Sequence, residues 1–174
     1  MKVIRKVDKV TNWNDIEDMI REGDLFPGDE IEIEGALWRV LDAKEREVLI
    51  WKHTGISSEE YVVFNENGSN VYEGSDLQTY LREDYMTTIP ARMQQLMSDD
   101  GLFPLSIEEV RQYLPTEGER IAVDEDGETV SYWLRSAYRG YASSAWGVYA
   151  SGSAYYYLGA ATASRCAPAC RLVI

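Results

Sequence analysis

Ser131-Tyr-Trp-Leu-Arg-Ser-Ala-Tyr-Arg-Gly-Tyr141, continuing to Cys166-Ala-Pro-Ala-Cys-Arg-Leu-Val-Ile174, decides how the chain reads. The 44 residues from Ser131 to Ile174 hold 7 Tyr, 7 Ser, 10 Ala and 4 Gly, with no Asp, Glu, Lys or Asn. Tyr gives a large amphipathic face at small rotamer cost, while Ser and Gly let a backbone adapt, so the mix suits a contact surface. It suits catalysis poorly, because no carboxylate, His or Lys is present to move a proton. Within the stretch, Ala145-Trp-Gly-Val-Tyr-Ala-Ser-Gly-Ser-Ala-Tyr155 predicts a hairpin turning at Ser151-Gly152. Alternation sends Trp146, Val148 and Ala150 toward a core, and Gly147, Tyr149 and Ser151 toward display.

Upstream, the chain supplies elements on which such a surface is carried. Residues 13–22 predict a helix with Ile16, Met19 and Ile20 on one stripe and Gly23 as its stop. Phe26-Pro-Gly-Asp is a turn, and Glu30-Ile-Glu-Ile-Glu alternates as a strand with one wet face. Trp38-Arg-Val-Leu and Val48-Leu-Ile-Trp-Lys flank the polar turn Asp42–Glu47 as an antiparallel hairpin, with Trp38 and Trp51 in the core. Residues 55–74 read as loop. Ser75-Asp-Leu-Gln and Ser106-Ile-Glu-Glu both have the capping-box form and open helices, and Pro90 starts a third in its first turn. Residues 116–130, rich in Glu, Asp and Gly, read as an exposed loop. Helices this short need a sheet to cover. The chain therefore reads as one α+β domain over 1–174, with antiparallel sheets, hairpins and two or three short helices. Residues 1–130 form the scaffold and 131–174 the ligand-binding region.

At 174 residues and 45% hydrophobic content, the chain has enough material for a core without metals or disulfides. The net charge of −13 is uneven: residues 1–130 sum to −17, and residues 131–174, with Arg135, Arg139, Arg165 and Arg171, sum to +4. So acidic a body repels a polyanion, which excludes nucleic acid as the expected partner. Met1-Lys-Val-Ile-Arg-Lys-Val-Asp-Lys9 lacks the apolar core of a secretory signal, and no apolar run approaches bilayer length. The expectation is synthesis in a cytoplasm, compatible with later association with a virion or a cell surface. Cys166 and Cys170, in extended chain, would stand roughly 13 Å apart, too far for a disulfide. Two thiols and the lone His53 fall short of a zinc set, so no metal or other cofactor is expected, and both Cys read as small buried residues. His53 reads as a surface or hairpin residue. Arg135 and Arg171 are expected to pair with the acidic body or with carbonyls.

Trp133-Leu-Arg-Ser, Ala145-Trp-x-Val-x-x-x-Gly152 and Ala167-Pro-Ala-Cys resemble a bacterial and phage domain of C-type lectin fold. The Trp38 hairpin, Gly74-Ser-Asp-Leu-Gln-Thr-Tyr-Leu and Leu105-Ser-Ile-Glu-Glu follow the same order of elements, so the resemblance spans about residues 26 to 174. Members of this group include the variable proteins of diversity-generating retroelements, where adenine-directed rewriting scatters template Asn codons into Tyr, Ser, Gly, Ala, Thr and others. The resemblance implies fixed landmarks (Trp133, Leu134, Arg135, Ser136, Trp146, Val148 and Pro168) between outward positions that are free to change.

The implied ligand-binding positions are Ala137, Tyr138, Gly140, Tyr141, Ser143, Ser144 and Gly147, followed by Tyr149, Ser151, Ser153, Tyr155, Tyr156, Tyr157 and Thr162. Of these, Tyr138, Tyr141, Tyr149, Tyr155 and Tyr157 are expected to share one patch. The expected partner is a protein or another macromolecule, bound by a monomer without catalysis. The acids and Asn that hold calcium in sugar-binding lectins are missing from this stretch, so calcium is not expected. Two alternatives share the fold: an oxidase of the formylglycine-generating type working through Cys166 and Cys170, and an undiversified wall- or glycan-binding module.

Overall fold

The strand Glu47–Lys52 reads almost continuously apolar because both of its faces are covered. A computed structural model describes residues 9–174, and the charged start at residues 1–8 lies outside the described residues. In chain order, β1 (Lys9–Val10) leads to α1 (Trp13–Glu22), β2 (Glu30–Ile33), β3 (Ala36–Lys44) and β4 (Glu47–Lys52). A short β5 (Val62–Val63) precedes α2 (Asp76–Thr79), which widens into a π-helical turn over Tyr80–Asp84 and tightens into a 3-10 turn over Tyr85–Thr88. Next come α3 (Ala91–Leu96), α4 (Ile107–Tyr113), the small hairpin β6 (Ala122–Val123) and β7 (Thr129–Val130), and β8 (Tyr132–Ala137). The chain closes with β9 (Ser144–Val148), β10 (Tyr156–Gly159), β11 (Ala163–Ser164) and β12 (Ala169–Val173). The class is α+β, and among the described residues an α-helix forms at each of the four segments read as helical.

The main sheet runs in the order β1-β2-β3-β4-β12; β1 is parallel to β2 and the other pairings are antiparallel. Along β4, Val48 and Ile50 enter one core cluster while Leu49 and Trp51 enter the other, the two-residue period sending alternate side chains to opposite faces. The first cluster gathers Ile16 and Ile20 of α1 with Leu77, Leu81 and Met93, and the second gathers Ile107 and Val110 of α4 with Tyr132 and Leu134. Trp38, Trp51 and Trp133 are fully enclosed. Each contributes about 4–6 kcal/mol by area, before entropy is subtracted. The C-terminal segment is therefore part of the frame: β12 pairs along β4 from Ala169–Trp51 to Val173–Glu47, and the Trp51 indole N–H donates to the Ala167 carbonyl at 3.1 Å.

Local expectations hold at many termini. Gly23 ends α1 in the left-handed region at φ 73°, and Asn12, not singled out in the sequence, caps its start. Ser106 and Glu109 form the reciprocal capping box of α4. At Ser75 the hydroxyl accepts from the Gln78 N–H, but the Gln78 side-chain Oε1 accepts from the N–H of Gly74 rather than Ser75, whose N–H is taken by the Tyr72 carbonyl. Pro90 sits at the cap of α3, one position before its first turn. The β3–β4 turn is tighter than Asp42–Glu47, because the strands continue to Lys44 and resume at Glu47 around a bulge between Val40 and Asp42. Residues 116–130 are not simply exposed loop: β6 pairs with β7, and Ala122, Val130 and Asp124 are buried.

Candidate ligand-binding face

β8, β9 and β10 form a three-stranded antiparallel sheet with β9 in the middle. One face carries Trp133, Ala145 and Leu158 onto the first core cluster, and the other carries Tyr132, Val148 and Trp146 onto the second. The sheet is thus clamped between the two cores, and its exposed parts are its end strand and connecting loops. That is why the predicted tyrosines separate into groups.

Tyr157 pairs in register with Trp146, so both lie on one face, where the Tyr138 ring stacks on Tyr157 at 3.9 Å between centroids and 9° between planes. Tyr138 also meets Trp146 edge-on at 5.0 Å, and Tyr141 lies 5.9 and 6.0 Å from Tyr138 and Tyr157. Tyr156 pairs with Gly147 on the opposite face, and its ring lies 5.2 Å from Tyr149. The expected single patch of five tyrosines is therefore a cluster of Tyr138, Tyr141 and Tyr157, with Tyr149 set beside Tyr156. Tyr155 is 88% exposed, and Tyr141, Tyr149 and Tyr157 are 58%, 51% and 42% exposed.

Around these rings Ala137, Gly140, Ser143, Ser151 and Thr162 are exposed, and Ser153 is half-buried. Ser144 and Gly147 are buried, so a ligand cannot reach their side-chain positions. A Cβ on Gly147 would lie 2.9 Å from the Tyr132 carbonyl oxygen and 3.1 Å from the Tyr156 ring, so this position, expected on display, lies instead on the covered face with Trp133. A groove of about 400 Å³ adjoins the cluster where Arg111, Arg139 and Trp146 meet, the Arg111 guanidinium 5.8 Å from the indole centroid.

Both loops are held from outside the C-terminal stretch. The Asn70 side-chain amide donates to the carbonyls of Ser144 (3.0 Å), Tyr141 (3.2 Å) and Tyr138 (3.4 Å). The Arg120 guanidinium ties the carbonyls of Leu114 (2.8 Å) and Pro115 (3.1 Å) to that of Gly152 (3.5 Å), and the Arg120 carbonyl accepts from the Tyr132 hydroxyl. The Ser131 hydroxyl receives the Ala150 N–H, and that of Ser136 receives the Ile107 N–H at the start of α4. β5 pairs with β11, and the Trp133 indole donates to the Val62 carbonyl, so the 55–74 segment backs the face. Asn70 and Arg120 were not among the expected site residues. The only local signal was the run Asn65-Glu-Asn-Gly-Ser-Asn70, which marks a loop without saying what it holds.

Cys166 and Cys170 are free and enclosed, and burial pushes both thiols well above the ordinary range, opposite to what a thiolate nucleophile needs. Arg135 pairs with Glu109 and donates to the Pro104 carbonyl, and Arg171 lies near Glu47, Asp100 and Glu109. His53 is buried, contrary to a surface placement, because it follows β4 into the core and packs on Trp51 with Glu30 3.4 Å away. Among the described residues, no group of three or more His, Cys, Asp or Glu is arranged to hold a metal ion, and no helix is long and apolar enough to cross a membrane. Comparison with protein-family models finds no match, and neither do comparisons with curated proteins or with solved structures.

Proposed function

We propose that this chain is a non-catalytic binding protein with a C-type lectin-like fold. Its tyrosine- and serine-rich C-terminal face takes a protein or another macromolecular ligand, and that face is diversified by a retroelement. One observation carries the reading: the exposed tyrosines ride on loops gripped through backbone carbonyls by Asn70 and Arg120. Every residue type has a carbonyl, so the Asn70 grip survives a change of side chain at positions 138 and 141. A surface meant to vary needs that property, while a fixed site gains nothing from it. Exposed Tyr supplies contact area in such surfaces, and exposed substitutions cost little stability.

The test has two arms. Tyr141→Ala combined with Tyr155→Ala should leave the thermal midpoint within a few degrees while ligand capture is lost; an unfolded double variant would mean that these rings hold the frame. In the DNA beside the gene, a near-copy of the segment coding for residues 131–174, differing at adenines and close to a reverse-transcriptase gene, is the expected finding. Its absence would favour a fixed binding module over a diversified one.

A further inference from the structure

Away from the tyrosine face, three guanidinium groups meet at one pocket. Arg82, Arg135 and Arg171 line a cavity of about 220 Å³. They arrive from distant parts of the chain: Arg82 from the π-helical turn after α2, Arg135 from β8 and Arg171 from β12. Their hydrogen-bonding capacity is only partly used. Arg135 spends Nη1 on Glu109 and the Pro104 carbonyl, and its Nη2 and Nε have no hydrogen-bond partner among the described residues. Arg171 approaches three carboxylates at 3.6–3.8 Å, beyond hydrogen-bonding length. Arg82 has no ion-pair partner among the described residues.

A fourth donor points the same way. Tyr72 lines the same pocket, and its hydroxyl is buried and has no hydrogen-bond partner among the described residues. Burial pushes its proton toward staying on, against the opposing field of Arg82 and Arg135. A buried hydroxyl left unpaired costs about 1–3 kcal/mol, so an acceptor that satisfies it is favoured. Phe103 adds an apolar wall, with the guanidinium carbons of Arg135 and Arg171 each 5.2 Å from its ring centroid. Glu73 and Asp100 also line the pocket and Glu109 pairs with Arg135, so three carboxylates already balance the three guanidiniums, which disfavours a dianionic phosphate far more than a single carboxylate held by the free guanidinium N–H groups.

We propose that this pocket binds a small organic carboxylate, its oxygens held by Arg82, Arg135 and the Tyr72 hydroxyl and its apolar body against Phe103. Guanidinium forks match planar carboxylates in two-point contact, which a spherical halide cannot reproduce. The site is independent of the tyrosine face, since no residue of that face lines it.

Benzoate titrated into the full chain, followed through arginine Nε–H signals in 1H–15N spectra, tests the assignment. Acetate, inorganic phosphate and chloride at matched ionic strength serve as comparators. The expected result is saturable benzoate binding that perturbs Arg82 and Arg135, tighter than acetate and much tighter than phosphate. Arg82→Gln, at an exposed position, should weaken it roughly tenfold, and Tyr72→Phe about three- to tenfold, for loss of one charged and one neutral hydrogen bond. Equal response to chloride, an affinity unchanged in Arg82→Gln, or phosphate binding more tightly than benzoate would each overturn it.

Discussion

Gly152 meets two demands that no other residue type meets together. Its φ of +89° lies where side chains are strained, and a Cβ there would stand 2.1 Å from the Glu117 carbonyl oxygen. Backbone cannot step aside as a flexible side chain can, so Gly152→Ala should destabilise the protein by on the order of 3 kcal/mol, read from the midpoint of urea denaturation. His53 makes a prediction of a different kind. Burial first, and then Arg39, lower its pKa from 6.5 to about 4. As the pH falls below 6.5, the unfolded chain takes up a proton that the folded ring refuses, so stability is lost between about pH 6.5 and 4 and levels off below that window. The full loss is on the order of 3 kcal/mol. Compared with wild type across this range, His53→Gln should lose that part of the pH dependence; an unchanged slope would mean that the ring is not held neutral.

At the scale of elements, local signals could be read in the sequence wherever the determinant was local. Gly23, the Ser106–Glu109 box and the alternation of Glu30–Ile33 are each settled by neighbours a few residues away, and each appears in the fold. Ser106→Ala should accordingly cost about 1 kcal/mol, measurable by thermal denaturation, because it leaves the Glu109 N–H at the start of α4 without its cap. What stayed hidden depends on distant partners. Asn70 grips carbonyls 68 to 74 residues away, and β5 exists because β11, a hundred residues on, lies beside it. Gly147 falls opposite Trp146 and Val148 as alternation requires, but its face is not displayed: Trp133 shares that face and the Tyr156 ring covers it, and alternation within one strand cannot report its neighbour. For the same reason the tyrosines could be picked out from the sequence, whereas their division between two faces could not.

For the molecule as a whole, residues 131–174 supply both the surface and a share of the interior. β12 completes the main sheet against β4, while Tyr132, Leu134 and Val148 fill the second core cluster. A chain ending at residue 130 would expose Leu41, Leu49 and Trp51, and it should show no cooperative unfolding transition and little dispersion in its proton spectrum. A sharp transition in that fragment would mean that the first 130 residues carry a core of their own. The same economy reaches the surface. A Cβ at Gly140 would come within 2.5 Å of the Tyr138 ring, which itself lies flat on Tyr157. These three positions are one epistatic unit: under the proposed diversification they would spell a three-letter word, in which changing a single letter respells the others.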